Sequence, residues 1–597
     1  MESIHTIKKL STKTQKKIIQ IILILPLAAI LLSLFSAILL SPFLNNPSSS
    51  SHSTNHHNQP PLTPPSLNSF TKKACSQTLY SSLCHSTLST TTTNNFTNIL
   101  EFVINRTAKH VSGTRNSVVS HFTNQDLNTQ EQNALQDCME MLDQTLYELQ
   151  QAIHELVSYS NHHSTSSSYG NIKTLLSAAM TNENTCINGF SDLEVLNLDN
   201  INKNVNNIQK GHREHIQNLL TPISHMISNS LALIKHVENK NRQEIAKKPE
   251  TTNRKGLGDE FSKYVRITNV RTRKKINTRM NLRVDVTVAS DGSGNYTNVG
   301  EAIGVAPNMS MNTYVIKIRA GVYEENVLIP REKMNVMLIG DGMNSTIITG
   351  SRSFADGFST FASATLTVIG DKFLARDLTI RNTAPPEKHQ AVALRVTSNA
   401  AFYRCEIISH QDTLYAHSLR QFYHECSIQG TVDFIFGKAA AVFQNCSILV
   451  RKPIKGQSNM ITAQGREDPN QNTGISLQNC TIEAAEDFNL TERRNFSTYL
   501  GRPWRNYSRT VVMDSYMADL IDARGWSEWD GYNSLDTVEY IEYMNSGPGA
   551  DTRGRVSWAG YRKNCSEEMV RAFRVGEFLH GGDDWLESTA LPLFGSY

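Results

Sequence analysis

Residues 405–448 read CEIISHQDTLYAHSLRQFYHECSIQGTVDFIFGKAAAVFQNCSI. The unit Cys-x-Ile occurs three times in this segment, at 405–407, 426–428 and 446–448, with offsets of 21 and 20 residues. Related units extend the repeat on both sides, LTI at 378–380 and CTI at 480–482. Such repeats, one or more strands per turn, predict a parallel β-helix, whose adjacent coils stack about 4.8 Å apart.

The repeated cysteines raise the question of a disulfide bond. Cα separations in disulfides begin near 4.4 Å, close to the spacing of about 4.8 Å between stacked strands. Cys426 and Cys446 lie one coil apart and are the pair for which we predict a bond. The alternative is a ladder of small buried thiols, which the core of such a fold also accommodates.

Two acids follow the same spacing. Asp412 and Asp433 are 433 − 412 = 21 residues apart, the offset of the first two Cys-x-Ile units. They are therefore expected side by side on neighbouring coils. Adjacent carboxylates split their pKa values, so one can serve as a general acid while the other remains an anionic nucleophile or base. Asp433 also stands among apolar residues, where burial without a partner is costly, which favours a functional role over a turn.

The segment LGRPW at 500–504 supplies two further candidates. An arginine near one of the acids would favour its charged form, and Arg502 is the candidate. Trp504 offers a flat ring for stacking against a sugar. The sequence contains no convincing cluster of metal ligands, and neither a metal nor a cofactor is predicted.

The N-terminus predicts a membrane segment. Five lysines fall within residues 1–17, and residues 18–40 carry no charge. Those 23 residues exceed the roughly 20 that span a bilayer and the 7–15 or so of a signal-peptide core. We predict a signal anchor, a transmembrane helix with residues 1–17 in the cytosol. The alternative is a long cleavable signal peptide.

Several features agree with passage through the secretory pathway. The chain has nine cysteines, and N-x-S/T sequons occur, for example at Asn95, Asn295 and Asn344. Residues 41–70 are rich in Ser, Pro, Asn and His and predict a flexible linker. The formal net charge is 58 − 55 = +3, which gives no argument for nucleic acid as a partner.

Residues 71–236 are predicted to be helical. The clearest segment is 131–157, where apolar residues recur at steps of three and four and form the core face of a bundle: Leu135, Cys138, Leu142, Leu146, Leu149, Ile153 and Leu156. Four cysteines fall in the region, at 75, 84, 138 and 186, and counting alone leaves three connectivities open. Residues 237–283 form a basic linker, either simply solvated or, at RTRKK (271–275), a processing site.

The ordered motifs of the C-terminal half resemble those of plant pectin methylesterases. They are GxYxE at 321–325, QAVALRV at 390–396, HQDTLY at 410–415, GTVDFIFG at 430–437 and GRPW at 501–504. The likeness extends from Asp291 to GDDWL at 582–586. ALQDCMEM (134–141) and TNENTCINGF (181–190) are similar to the pectin methylesterase inhibitor family.

The resemblance implies a multi-domain chain. After the transmembrane helix, an all-α four-helix bundle (71–236) is followed by an all-β, right-handed parallel β-helix (284–597). It also implies the disulfide pairs Cys75–Cys84 and Cys138–Cys186. The inhibitor-like domain would be a pro-region that restrains the enzyme until a protease cuts the linker, on the way to the cell wall.

The resemblance also assigns roles in the hydrolysis of methyl esters of homogalacturonan. Asp433 is the implied nucleophile, and Asp412 protonates methanol and then activates water. Gln390 and Gln411 donate hydrogen bonds to the oxyanion. The remaining implied roles are orientation of the nucleophile by Arg502 and contact with pectin by Trp504 and Thr360.

The sequence departs from the family pattern at His410, where tyrosine is common, and at Lys438, where asparagine is common. Two other functions were weighed. A silent β-helix that only binds carbohydrate would not need the complete set of acids, glutamines and arginine. A lyase would need a calcium site of clustered acids, and a polygalacturonase would need more carboxylates; neither is visible in the sequence.

Overall fold

The computed structural model describes residues 69–91, 95–123, 125–161, 167–196, 203–247, 283–529, 535–579 and 586. The predicted membrane segment (18–40) and the basic run at 271–275 lie outside the described residues. Within the described ranges, no helix combines the length and the apolar character needed to cross a bilayer.

Six helices make up the first part of the chain. They are α1 (Ser69–Cys75), α2 (Ser81–Leu88), α3 (Phe96–Phe122), α4 (Thr129–Asn161), α5 (Ser167–Leu196) and α6 (Lys203–Lys247). The long helix α4 starts at a reciprocal cap: Glu131 N–H donates to Asn128 Oδ1 (2.9 Å), and Asn128 N–H donates to Glu131 Oε2 (3.0 Å). The four long helices pack against one another as a bundle.

The apolar stripe predicted in α4 faces the bundle core. Cys138, Leu142, Leu149 and Leu156 are at most 1% exposed, and the other three stripe residues are partly buried against the same core. Both disulfides implied by the family resemblance are present. Cys75–Cys84 joins α1 to α2, and Cys138–Cys186 joins α4 to α5.

The second part of the chain consists of short strands and four short helices. The helices are α7 (Val299–Gly304), α8 (Leu490–Arg493), α9 (Glu567–Arg571) and α10 (Val575–Phe578). The strands are β1 (Val286–Val288), β2 (Tyr314–Ile318), β3 (Gly321–Glu324), β4 (Val327–Ile329), β5 (Val336–Ile339), β6 (Thr346–Gly350), β7 (Leu366–Val368), β8 (Phe373–Asn382), β9 (Leu394–Val396), β10 (Ala400–Ile408), β11 (Leu414–Ala416), β12 (Arg420–His424), β13 (Ser427–Gly430), β14 (Ile435–Gly437), β15 (Ala440–Gln444), β16 (Ser447–Val450), β17 (Asn459–Gln464), β18 (Gly474–Gln478), β19 (Thr481–Ala484), β20 (Thr498–Gly501), β21 (Arg509–Met513), β22 (Tyr516–Met517), β23 (Glu539–Tyr543) and β24 (Tyr561–Arg562).

These strands stack coil upon coil, as the repeat predicts. Their pairings are parallel and divide the described strands between a large sheet and a sheet of seven strands in the order β20-β17-β14-β11-β9-β7-β4. The isoleucines of the repeat pair with one another on adjacent coils and are fully buried, at positions 380, 407, 428, 448 and 482. The predicted parallel β-helix is therefore confirmed.

The predicted Cys426–Cys446 disulfide is wrong. Both residues are free, buried thiols in the core, as are Cys405 and Cys480. The thiol of Cys426 donates to the carbonyls of Phe402 and His424 at 3.4 Å, and that of Cys446 makes the equivalent contact one coil further on. Each sulfur is thus engaged with backbone, which is the thiol-ladder alternative.

A stack of aromatic rings runs through the β-helix core beside the thiols. Tyr423 lies between Phe402 and Phe443, with ring centroids 5.0 and 4.6 Å apart and nearly parallel planes. All three side chains are fully buried. The stack therefore bonds three successive coils together through their interiors.

We expect Phe443→Ala to destabilise the β-helix by about 3–5 kcal/mol, because it leaves a cavity at the end of this stack. The measurement is the thermal unfolding midpoint, with Met544→Ala as the control because that side chain is 73% exposed. Equal midpoints for the two variants would contradict the packing role.

Candidate functional site

Asp412 and Asp433 lie side by side at one end of the seven-stranded sheet. Each stands two residues before a strand, β11 and β14 respectively, and these strands pair with Leu414 opposite Ile435. The Asp412 N–H donates to the carbonyl of Val432 at 3.0 Å, which fixes the two segments together. The acids are 8% and 5% exposed. The offset of 21 residues therefore does bring the two acids to equivalent places on adjacent coils.

Both acids adopt left-handed backbone conformations, with φ of 63° at Asp412 and 51° at Asp433. This region is uncommon for residues other than glycine, and it persists where the surrounding structure enforces it. Here the enforcement comes from the β-strands that follow each acid. The turns therefore hold both carboxyl groups in fixed positions.

Arg502 directly follows β20 and forms a two-point ion pair with Asp433. Its Nε donates to Oδ1 at 2.9 Å, and its Nη2 donates to Oδ2 at 2.6 Å. Burial raises the pKa of Asp433, and the guanidinium of Arg502 counteracts that shift by favouring the anion. The arginine thus orients one carboxylate of the pair and supports its negative charge.

Two glutamines complete the group around the acids. Gln411 directly precedes Asp412, and Gln390 lies opposite Gln411 on the neighbouring coil. The Oε1 atoms of both carboxamides are buried and lack a hydrogen-bond partner within the described residues. Two buried amides without an acceptor or donor at their oxygens are unusual in a folded protein, and they mark a position built for another molecule.

Aromatic side chains continue the site along the sheet. Tyr415 and Phe436 stack at 4.2 Å, and Trp504 lies with its ring 6.0 Å from that of Phe436. Sequence reasoning missed Tyr415 and Phe436, although each stands three residues after one of the acids. It also missed Trp529, whose ring lies 4.2 Å from the guanidinium carbon of Arg502.

Thr360 is less directly connected to the acids. It lies half-buried in a loop, where its carbonyl accepts from the Ser363 hydroxyl at 3.0 Å. The next residue, Phe361, places its ring 6.4 Å from that of Tyr415. The threonine is therefore on the border of the aromatic surface, whereas the two acids, the two glutamines and Arg502 form one group.

The helical bundle covers this surface, and residues 67–597 form one compact unit. Phe361, Tyr415, Phe436 and Ala463 share a hydrophobic cluster with the bundle core, and Trp504 packs against it.

Polar contacts pin the helices to the sheet. The Ser359 hydroxyl donates to Asp137 of α4, and Thr185 of α5 lies 2.9 Å from Nε2 of the fully buried His417. On α6, the Ser228 hydroxyl donates to Asp468. Together with the shared core, these contacts cover the face that carries the aromatic residues of the site.

Two carboxyl groups of the bundle are buried close to this interface. Burial raises the pKa of Asp137 to about 7 and that of Glu183 to about 8. The Ser359 hydroxyl and the charge of Arg395 oppose the shift at Asp137, whereas Glu467 of the β-helix adds to the shift at Glu183. Both groups therefore hold a proton in weakly acidic solution while the helices are docked.

Comparisons with known proteins agree with this two-part organisation. Residues 285–583 match the family model described as Pectinesterase, and residues 69–233 match that of the Plant invertase/pectin methylesterase inhibitor. The chain is 43% identical over 539 residues to Pectinesterase 2 of Arabidopsis thaliana, covering 87% of this chain and 89% of that protein.

Two other proteins are also similar. Pectinesterase/pectinesterase inhibitor U1 of Solanum lycopersicum is 43% identical over 536 residues, which cover 88% of this chain and 89% of that protein. The solved structure of pectin methylesterase from carrot has a TM-score of 0.52 and 53% identity. It covers 53% of this chain and 99% of the carrot chain.

We expect the helical segment 69–247 to bind the segment 283–597 more weakly as the pH rises. The docked state retains protons on Asp137 and Glu183 up to pH values of about 7 and 8, whereas exposed carboxyls lose them near their ordinary values of 3.8 and 4.5. Docking therefore takes up protons within this window and is favoured at its acidic end. The dissociation constant, measured by calorimetry, should rise at least about tenfold between pH 5 and pH 8.

The double variant Asp137→Asn, Glu183→Gln should flatten this pH dependence. Asp126→Asn, at an exposed position of the same bundle, is the matched control and should keep it. A wild-type affinity that is constant or increases with pH would contradict the assignment.

Proposed function

The chain belongs to the pectinesterase family, and from that premise we propose that it hydrolyses methyl esters of homogalacturonan to pectate and methanol, with Asp433 as nucleophile. The observation that carries the residue assignment is the two-point contact of Arg502 with Asp433 beside a second buried acid. One carboxylate is thereby oriented and charged, while its neighbour is available for proton transfer.

In the first half of the proposed reaction, an Asp433 oxygen attacks the ester carbonyl carbon. The carbonyl oxygen becomes an oxyanion, and the carboxamide N–H groups of Gln390 and Gln411 stabilise it. Asp412 transfers its proton to the departing methoxy oxygen as the carbon–oxygen bond breaks. The products of this step are methanol, an acyl-enzyme anhydride on Asp433 and an ionised Asp412.

In the second half, water enters the position that methanol has left. The Asp412 carboxylate takes a proton from this water, and the resulting oxygen bonds to the acyl carbon. The anhydride bond to Asp433 then breaks, which returns its carboxylate to Arg502 and releases the galacturonic acid unit. Asp412 is protonated again, so the cycle closes without any other reactant.

We also assign the helical part an inhibitory role before processing. The bundle packs on the aromatic surface next to the acids, which a polymeric substrate would have to occupy. Sugar rings stack on aromatic faces, so Trp504 and the border at Thr360 are the proposed substrate contacts. Displacement of the helices would then be a condition for activity.

The remaining proposals concern the route of the chain. The uncharged segment 18–40 would anchor or target it to the secretory pathway, with the cell wall as its destination. The basic stretch between the two parts, with RTRKK at 271–275, would be the site of a processing protease. Sequons of the lumenal region would carry glycans.

We expect the segment 283–597 to release methanol from highly methylated pectin, and the Asp433→Asn variant to lose activity by a factor on the order of 10³ or more. The amide cannot form the anhydride but keeps the shape of the side chain, so the fold should survive. Asp551→Asn is the control because that acid is exposed at the surface. Near wild-type activity in a folded Asp433→Asn protein would remove the residue from its role.

A further inference from the structure

Arg505 ends on the helical bundle. Its Nη2 donates to Oδ1 of Asn184 at 2.9 Å and to Oδ1 of Asn188 at 2.8 Å, both on α5. Its guanidinium carbon lies 5.4 Å from the centroid of the Trp504 ring. A cation beside the aromatic surface is therefore met by two carboxamide oxygens that leave when the bundle leaves.

Lys438 lies on the other side of the same tryptophan. Its Nζ is 5.8 Å from the Trp504 ring centroid and donates to Oε1 of Glu467 at 2.8 Å. The other carboxylate oxygen of Glu467 accepts from Asn184. The lysine side chain is only 2% exposed. It is thus a built part of the surface, not a solvated charge.

The local charges leave this place positive. Lys438 and Arg505 contribute two positive charges, and Glu467 contributes one negative charge. Burial lowers the pKa of the nearby His417 well below its ordinary value, so this ring adds no charge at neutral pH. The surroundings of Trp504 on the β-helix therefore carry a net charge of about +1, which is suited to one anion.

The place is separate from the reacting acids. Five residues separate Asp433 from Lys438 along β14, which corresponds to roughly 16 Å at about 3.3 Å per residue. The rings of Phe436 and Trp504 fill the interval. A sugar bound at Trp504 is thus further along the polymer than the sugar whose ester is attacked.

We propose that Arg505 and Lys438 form a subsite, beside Trp504, for the free carboxylate of a galacturonate residue that has already lost its methyl ester. This inference rests on the proposed function, because it concerns the same polymer. A carboxylate accepts strong, charge-assisted hydrogen bonds from a guanidinium, whereas a methyl ester carries no charge. The subsite therefore distinguishes the acid sugar from the esterified one.

In the docked chain, Asn184 and Asn188 fill this subsite. Their two amide oxygens give Arg505 the acceptors that the two oxygens of a carboxylate would supply. The bundle consequently competes with acidic pectin for the same cation. Once the bundle has left, the enzyme prefers esters next to its own product, which makes successive, blockwise removal of methyl groups the expected pattern.

The test uses the segment 283–597, because carrot pectin methylesterase, a chain that aligns over 99% of its length with about this part, is a complete folded protein. Polygalacturonate, which has no methyl esters, serves as the inhibitor of methanol release. Arg505→Gln should raise its inhibition constant roughly tenfold, the loss of one charged hydrogen-bonded contact. The variant should also lower kcat/KM on half-methylated pectin more than on fully methylated pectin.

Two further variants sharpen the result. Lys438→Asn should act in the same direction, whereas Arg505→Lys should recover part of the affinity. Arg553→Gln is the matched control, since it removes the same charge from a side chain that is 91% exposed and should change neither value. Unfolding midpoints establish that each variant is folded.

Unchanged inhibition by polygalacturonate in both folded variants, Arg505→Gln and Lys438→Asn, would overturn the subsite. Equal weakening by Arg553→Gln would also overturn it, because the effect would then be one of total charge. Failure of the proposed function is a different outcome, in which the wild-type segment releases no methanol. Calorimetric binding of polygalacturonate to the same variants then still tests the subsite.

Discussion

The in-register stacking of coils about 21 residues long is the constraint on which the site depends. Parallel pairing sets Leu414 opposite Ile435 and Ile407 opposite Ile428, so any two positions with this offset become neighbours. Asp412 and Asp433 are such a pair. A change of one residue in either coil would turn one acid towards the opposite face of the strand and separate it from the other. The chemistry thus depends on register more than on any single contact.

The seven-stranded sheet serves two partners with one face. Its aromatic side chains suit a carbohydrate, and they also complete the hydrophobic core of the helical bundle. The polar contacts follow the same logic, because Arg505 meets amide oxygens of α5 where we propose an acidic sugar. A surface that binds both inhibitor and substrate needs no separate regulatory site, since occupation by one excludes the other.

Much of this was accessible from the sequence because it is local or periodic. The Cys-x-Ile spacing predicts the β-helix, the steps of three and four predict the core face of α4, and the offset of the two acids predicts their proximity. The contact of Arg502 with Asp433 was also anticipated. It joins residues 69 positions apart, but both belong to motifs of one family.

What the sequence could not supply is the way the two parts meet. Thr185 and His417 are 232 residues apart, and Asn184 and Arg505 are 321 apart, and no period relates them. Their contacts are consequences of docking and not of local pattern. The cysteine ladder was misjudged for a similar reason: stacked thiols fit the spacing of a disulfide, but the backbone carbonyls of the neighbouring coil already engage each sulfur.

The most direct measurement is the rate of methanol release from highly methylated pectin by two folded proteins, residues 283–597 and residues 69–597. The account predicts an active short chain and a much slower long chain, with activity restored when a protease cuts between residues 247 and 283 and the bundle is removed. Equal rates for the two chains would contradict the claim that the docked helices block the site.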